Sequence, residues 1–169
     1  AICGGRALHN PAQGKVGFDG DTVSNQKRID DFRGEYRWLS NFHRVDVEFG
    51  GVRYPSTEHA YQAAKTLDQL RRESIRVMPT CGMAKRAGQR LVLRADWEFI
   101  KRDVMLELLR QKYRTPELRS LLLQTEDAVL IEGNTWGDTY WGVCGGVGEN
   151  WLGRLTMQVR DEIAQGLGK

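Results

Sequence analysis

Tyr54-Pro-Ser-Thr-Glu-His-Ala-Tyr-Gln-Ala-Ala-Lys65 is the stretch around which the chain organises itself. Pro55 ends any preceding structure, and the Ser56 hydroxyl is suited to cap the first turn of a helix. Glu58 then falls in that turn, where the helix dipole favours a carboxylate. At ideal helix geometry Lys65 lies about 20° round from Glu58 and roughly 10 Å along the axis. Tyr61 and Gln62 fall between them on nearby faces, spaced by Ala60, Ala63 and Ala64. A carboxylate, an amine, a phenol and an amide among alanines read as the wall of a site. The alternative is an i, i+7 pair on a solvated face, with His59 in a cap or in the core.

Upstream, Val45-Asp-Val-Glu-Phe49 alternates, Gly50-Gly51 signals a turn, and Val52-Arg-Tyr54 resumes, which predicts a β-hairpin. Downstream, Leu67 to Val77 continues a helical pattern with Leu67, Leu70 and Ile75 as inward positions. Thr80 caps a short helix through Leu91. Asp96 caps the strongest predicted helix, Trp97 to Tyr113, whose apolar stripe is Trp97, Ile100, Val104, Met105, Leu108 and Leu109. Thr115-Pro116-Glu117 opens another helix. Ala128-Val-Leu-Ile131 is a short strand, followed by a Gly- and Trp-rich loop from Glu132 to Glu149. Asn150 caps a last helix that stops at Gly166. The expected fold is α+β, a mostly helical single domain packed around a small β-sheet. Residues 1–29, broken by glycines and poor in hydrophobes, read as a loop-rich arm, and 30–169 as the folded domain.

The 169 residues suffice for one sizeable core. With 40% hydrophobic and 28% charged residues and no apolar run of membrane length, no membrane partner is expected. No charged segment leads into an apolar one at the N-terminus, so no secretion signal is read. Cys3, Cys81 and Cys144 form neither a disulfide framework nor a metal pair, which suggests a reducing, intracellular and cytoplasmic setting. Only His9, His43 and His59 exist, without ligand spacing, so no catalytic metal is expected. Phosphate-loop, dinucleotide and HExxH motifs are absent, as is the nucleophile elbow. The net charge of +3 permits a nucleic-acid or phosphate-bearing substrate.

Two further clusters carry chemistry. In Phe32-Arg-Gly-Glu-Tyr-Arg-Trp-Leu-Ser-Asn-Phe42, Arg37, Ser40 and Asn41 are candidates to meet phosphate or ribose oxygens, unless the segment is an edge strand with packing aromatics. In Glu132-Gly-Asn-Thr-Trp-Gly-Asp-Thr-Tyr-Trp-Gly142, Trp136, Asp138, Tyr140 and Trp141 sit among glycines that let backbone approach a ligand. An indole face stacks on a base with about 1–3 kcal/mol. An acid beside a stacked base suits cleavage of a base from a sugar. The alternative is a turn whose indoles plug the core.

Taken together, Phe32 to Phe42, Tyr54 to Lys65, Trp136-Gly137 with Tyr140-Trp-Gly142, Gly148 to Gly153, and Met157 with Arg160 resemble the NADAR family over about residues 32–160. That family includes N-glycosidases of riboflavin-pathway intermediates and enzymes that remove ADP-ribose from guanine. The resemblance implies hydrolysis at ribose C1 without a cofactor. It implies Glu58, Lys65 and Asp138 as catalytic residues. Arg37, Ser40, Asn41, Tyr61, Gln62, Trp136, Tyr140, Trp141 and Asn150 would bind substrate. The implied partner is an ADP-ribose-bearing nucleotide or nucleic acid, most directly ADP-ribosylated guanine. The alternatives are a phosphoribosyl pyrimidine substrate, or an ADP-ribose-binding module without turnover.

Overall fold

Helix α1, Thr57–Ala64, has every residue buried in the computed structural model, which describes residues 26–167. It is therefore the central strut of the molecule. Ser56 Oγ caps it by accepting from His59 N at 3.2 Å. The same hydroxyl lies 2.7 Å from His59 Nδ1, while Nε2 lies 3.1 Å from the Met78 carbonyl. A carbonyl only accepts, so Nε2 carries the hydrogen and Nδ1 accepts from Ser56. His59 thus joins the cap to the core.

The predicted hairpin is present: β2, Arg44–Phe49, pairs antiparallel with β3, Val52–Ser56. Gly50 and Gly51 turn it with φ of +59° and +75°, values that glycine adopts without a Cβ penalty. Pro55 does not end the strand as expected. The register shifts between Arg44 and Val47, so the ladder is interrupted opposite Pro55, where the missing N–H costs nothing.

After α1 the chain does not run straight on. Thr66 Oγ1 accepts from Asp68 N, and Asp68 Oδ1 caps a new helix α2, Gln69–Arg76, through Leu70 N and Arg71 N. Ile75 is buried as expected, but Leu67 and Leu70 are 64% and 83% exposed. The reason is angular: Leu67 lies in the turn, and Leu70 is about 140° round the helix from Ile75. Thr80 caps α3, Cys81–Gly88, which stops short of Leu91.

The long helix α4, Trp97–Lys112, buries Trp97, Met105, Leu108 and Leu109, with Ile100 and Val104 packed at the edge of the core. Asp96 does not cap it. Its carboxylate is taken instead by Arg94, with Nε at 2.6 Å and Nη2 at 2.9 Å. Helix α5, Pro116–Leu123, begins on its proline. Strand β4, Val129–Leu130, pairs parallel with β1, Arg28–Ile29, the last two residues of the segment read as an arm. The proposed arm up to residue 25 lies outside the described residues. Strands β5, Gly133–Asn134, and β6, Val143–Cys144, form a second parallel pair. The fold is α+β and mostly helical, with its strands divided among three two-stranded ladders.

Helix α6, Trp151–Ala164, closes the chain and ends before Gly166 at φ +74°. Asn150 makes no side-chain cap and is left-handed at φ 55°. The first amide donors of α6 are met by loop backbone: Trp151 N donates to the Tyr140 carbonyl and Leu152 N to that of Trp141. No helix among the described residues is long and apolar enough to cross a membrane.

Candidate active site

A cleft of about 460 Å³ opens between α1, the Ser40–Phe42 segment, α3 and the loop after β4. Glu58, Tyr61, Gln62 and Lys65 form one wall, at spacings of three and four that align side chains on a helix. Gln62 Nε2 donates to Glu58 Oε1 at 2.8 Å. Burial pushes the Glu58 carboxyl up, opposed by that bond and by the charges of Lys85 and Lys65. Burial pulls the Lys65 amine down, with Glu58 opposing and Lys85 adding to the fall. Lys65 Nζ lies 5.4 Å from the centre of the Tyr61 ring. That ring is wedged between Trp97 at 5.1 Å and Trp141 at 5.3 Å.

Gly88 makes room for this arrangement. A Cβ there would lie 1.8 Å from Gln62 Oε1. The glycine of α3 therefore lets the amide stand beside Glu58.

The opposite wall is the loop that follows β4. Asn134 organises it: Nδ2 donates to the carbonyls of Asp138 (2.7 Å) and Val143 (3.2 Å), and Oδ1 accepts from Asp138 N (3.1 Å). Asp138 Oδ1 accepts from Tyr140 N at 3.1 Å and Trp141 N at 2.9 Å, which fixes its carboxylate at the cleft. Trp141 packs on Tyr61 in the floor, whereas Trp136 is 54% exposed at the lip. Arg33 and Lys85 lie over the Trp136 ring at 5.7 and 5.1 Å.

A third wall carries Ser40, Asn41 and Phe42. Lys112 Nζ, fully buried, donates to the carbonyls of Leu39 and Ser40, each at 2.9 Å. Burial pulls its ammonium down to about 7, with Glu132 opposing. Asn41 also receives Glu58 N on its carbonyl, so this wall is tied directly to the start of α1.

Of the residues singled out by sequence, Glu58, Lys65, Asp138, Ser40, Asn41, Tyr61, Gln62, Trp136 and Trp141 line this one cleft. Arg37, Tyr140 and Asn150 do not. Arg37 is exposed on the 3-10 turn Gly34–Leu39. The Tyr140 ring packs edge-on to Trp141 and takes Lys101 Nζ at 3.8 Å. Both ends of the Asn150 amide are spent: Nδ2 donates to the Leu130 carbonyl and Oδ1 accepts from Glu132 N.

Sequence reading missed Lys85, on a separate helix with no local pattern to mark it, and Glu132. The signal for Glu132 was its place as the first charged residue after the apolar run Ala128–Ile131. Burial pushes its carboxyl up to about 7, with Lys85, Lys112 and Arg33 opposing and Asp138 reinforcing. Three buried polar atoms without a partner meet in this cleft: Asn41 Oδ1, Gln62 Oε1 and Glu132 Oε2. Such atoms are rare in folded interiors.

Comparison with known proteins agrees on one lineage. A family model, the NADAR domain, matches residues 29–164. The N-glycosidase YbiA of Escherichia coli K12 is 40% identical over 148 residues, covering 85% of this chain and 90% of that protein. A riboflavin biosynthesis protein of Vibrio vulnificus, VVA0006, is 35% identical over 133 residues, covering 76% of this chain and 36% of its own length. The NMR structure of E. coli YbiA matches with a TM-score of 0.74 at 38% identity, covering 83% of this chain and 88% of that one.

Proposed function

This chain belongs to the NADAR family, and we propose that it is an N-glycosidase that hydrolyses the bond between ribose C1 and a base nitrogen. The observation that carries this reading is the single cleft in which Glu58, Lys65 and Asp138 stand together with two indoles. The name of the 40%-identical relative supports it.

Breaking the ribosyl C–N bond sends its electron pair to the base and leaves positive charge on C1 and the ring oxygen. Glu58 is placed to stabilise that cation and to take a proton from the attacking water. For that it must be ionised. Burial, the largest influence, pushes the carboxyl up, and the Gln62 hydrogen bond and the two nearby ammonium groups oppose it in favour of the ion. Burial pulls Lys65 down, which favours the free amine more than in an exposed lysine. In that form it is a nucleophile for the opened ribose aldehyde, through a Schiff base; in its charged form it is a proton donor. Asp138 holds a ribose hydroxyl or relays a proton. Ser40 and Asn41 contact ribose or phosphate.

The proposed substrate is ADP-ribosylated guanine. The half-exposed Trp136 at the lip, with the cations of Arg33 and Lys85 over its ring, brings an indole for a base and positive charge for a diphosphate to one place. A second reading, a phosphoribosyl pyrimidine, is favoured by the similarity to a riboflavin biosynthesis protein. One assay separates them: incubation with DNA bearing ADP-ribosylated guanine, and separately with an aminated phosphoribosyl pyrimidine, followed by detection of free sugar. Release from the first alone supports the leading substrate, and release from the second alone supports the other. Tight ADP-ribose binding with no release from either would make the chain a binding module and sink the glycosidase reading.

A further inference from the structure

We propose that Glu132 is the acid that protonates the departing base nitrogen. The proposal rests on the glycosidase reading above and assigns a task which that reading left to Lys65.

The position of Glu132 is built. It lies one residue beyond Ile131, between β4 and β5. Its N–H is held by Asn150 Oδ1 at 3.0 Å, and its carbonyl accepts from Val143 N at 2.9 Å. Gly142 stands against it so closely that a Cβ would meet the Glu132 carbonyl oxygen at 2.2 Å and its Cγ at 3.1 Å. Backbone and the first part of the side chain are thereby clamped from two sides. The carboxyl lines the cleft with Asp138 and Lys85.

Its Oε2 is buried and has no hydrogen-bond partner. An ionised carboxylate in that state would carry an unpaired, desolvated charge, a large penalty that the neutral acid avoids. Lys85, Lys112 and Arg33 pull the group towards ionisation, Asp138 and burial towards the acid, and burial is the largest influence. With a pKa of about 7, the carboxyl holds its proton for much of the time near neutrality and gives it up readily. Burial pushes Glu58 up as well, and Lys85 acts on both carboxyls; Glu58 differs in having the Gln62 amide donor on one oxygen, where Glu132 Oε2 has none. A carboxylate already held by a donor suits the task of taking a proton from water, and one without a donor suits the task of giving its own away.

The step balances. The C1–N bond breaks with its electron pair on the base nitrogen, which takes the proton of Glu132. Water adds to C1 and loses a proton to Glu58. Solvent then returns a proton to Glu132 and removes one from Glu58. Lys65 is left free as the amine.

The test is steady-state kinetics of Glu132→Gln on two substrates with the same ADP-ribosyl part. One carries the natural base, which needs a proton to leave; the other carries p-nitrophenolate, which does not. The expected result is a loss of about 10²–10⁴-fold in kcat on the base, little change in KM, and a rate near wild type on the nitrophenyl riboside. The alkaline fall of the kcat–pH profile on the base should vanish in the variant, and Glu132→Asp should restore part of the rate. A wild-type rate on the base, or an equal loss on both substrates, would overturn the proposal, since a merely structural role moves both alike. In either case wild-type turnover leaves the glycosidase reading standing. A wild-type protein that cleaves neither of these, nor the phosphoribosyl pyrimidine, removes both.

Discussion

The two facing walls of the cleft are built on opposite economies. In α1 the backbone satisfies itself, so Glu58, Tyr61, Gln62 and Lys65 are released to face the ligand. In the loop after β4 the backbone has only two residues of ladder on each side. Asn134, Asp138 and Asn150 make up the shortfall by bonding main-chain groups with their own amides and carboxylate. Polar side chains on the helix are therefore available for chemistry, while most of those in the loop hold shape. Asp138 is between the two, with Oδ1 committed to the loop and the group still at the cleft. The same residue type means different things on the two walls.

The largest effect expected from this contrast falls on the helix wall. Glu58→Gln and Lys65→Ala should each lower kcat by about 10³-fold or more, roughly 4 kcal/mol of barrier, with a melting temperature close to wild type. Unchanged turnover in either variant would break the comparison at its root. On the loop wall, Asn134→Ala should cost about 2–3 kcal/mol of stability in denaturant unfolding, because it strands three main-chain groups at once. Activity should fall with it as Asp138 loses its anchor. A variant as stable as wild type would mean that the loop is held by something other than its side chains.

Between the walls, Gly88→Ala tests whether packing behind the helix matters. The new methyl must displace Gln62, and overpacking of this kind costs about 1–3 kcal/mol. Turnover should drop further than stability alone explains, since Gln62 also holds Glu58. The smallest signal is in pH. Folded Glu132 keeps its proton to about 7, whereas its ordinary value is 4.5. Its contribution to stability is whole below 4.5 and is lost as pH rises through 7. The melting temperature of Glu132→Gln should therefore show a shallower decline than wild type across that window. Parallel curves would place the carboxyl in water rather than in the cleft.

The helix wall was also the more legible of the two. Proline then serine before a carboxylate marks a helix start whatever surrounds it, and Gly50-Gly51 can turn a hairpin by backbone geometry alone. The serine cap and the glycine turn are local rules and both held, although Pro55 itself stayed within β3. Asp96 and Asn150 obeyed the same pattern and made other bonds, since Arg94 competed for one and the ends of β4 for the other. A capping residue announces that it can bond an amide, not which partner will reach it first. Leu67 and Leu70 failed because a turn at Thr66–Asp68 reset the helical phase. Lys85 joined the cleft from a separate helix with no local pattern to mark it, and Glu132 had only the apolar run before it as a signal.

The parallel pairing of β1 with β4 has a temporal consequence. Gln26 Nε2 already reaches the Asp127 carbonyl, across 101 positions of chain, and Arg28 and Ile29 find their neighbours only at Val129 and Leu130. At about 5–20 residues per second of ribosomal synthesis, the leading end waits on the order of 5–20 s before its mate is even made. Glu132 and the whole tryptophan loop emerge later still. During translation the nascent polypeptide is thus an unfinished pocket with an unclaimed strand, and the cleft is complete only once α6 has left the exit tunnel.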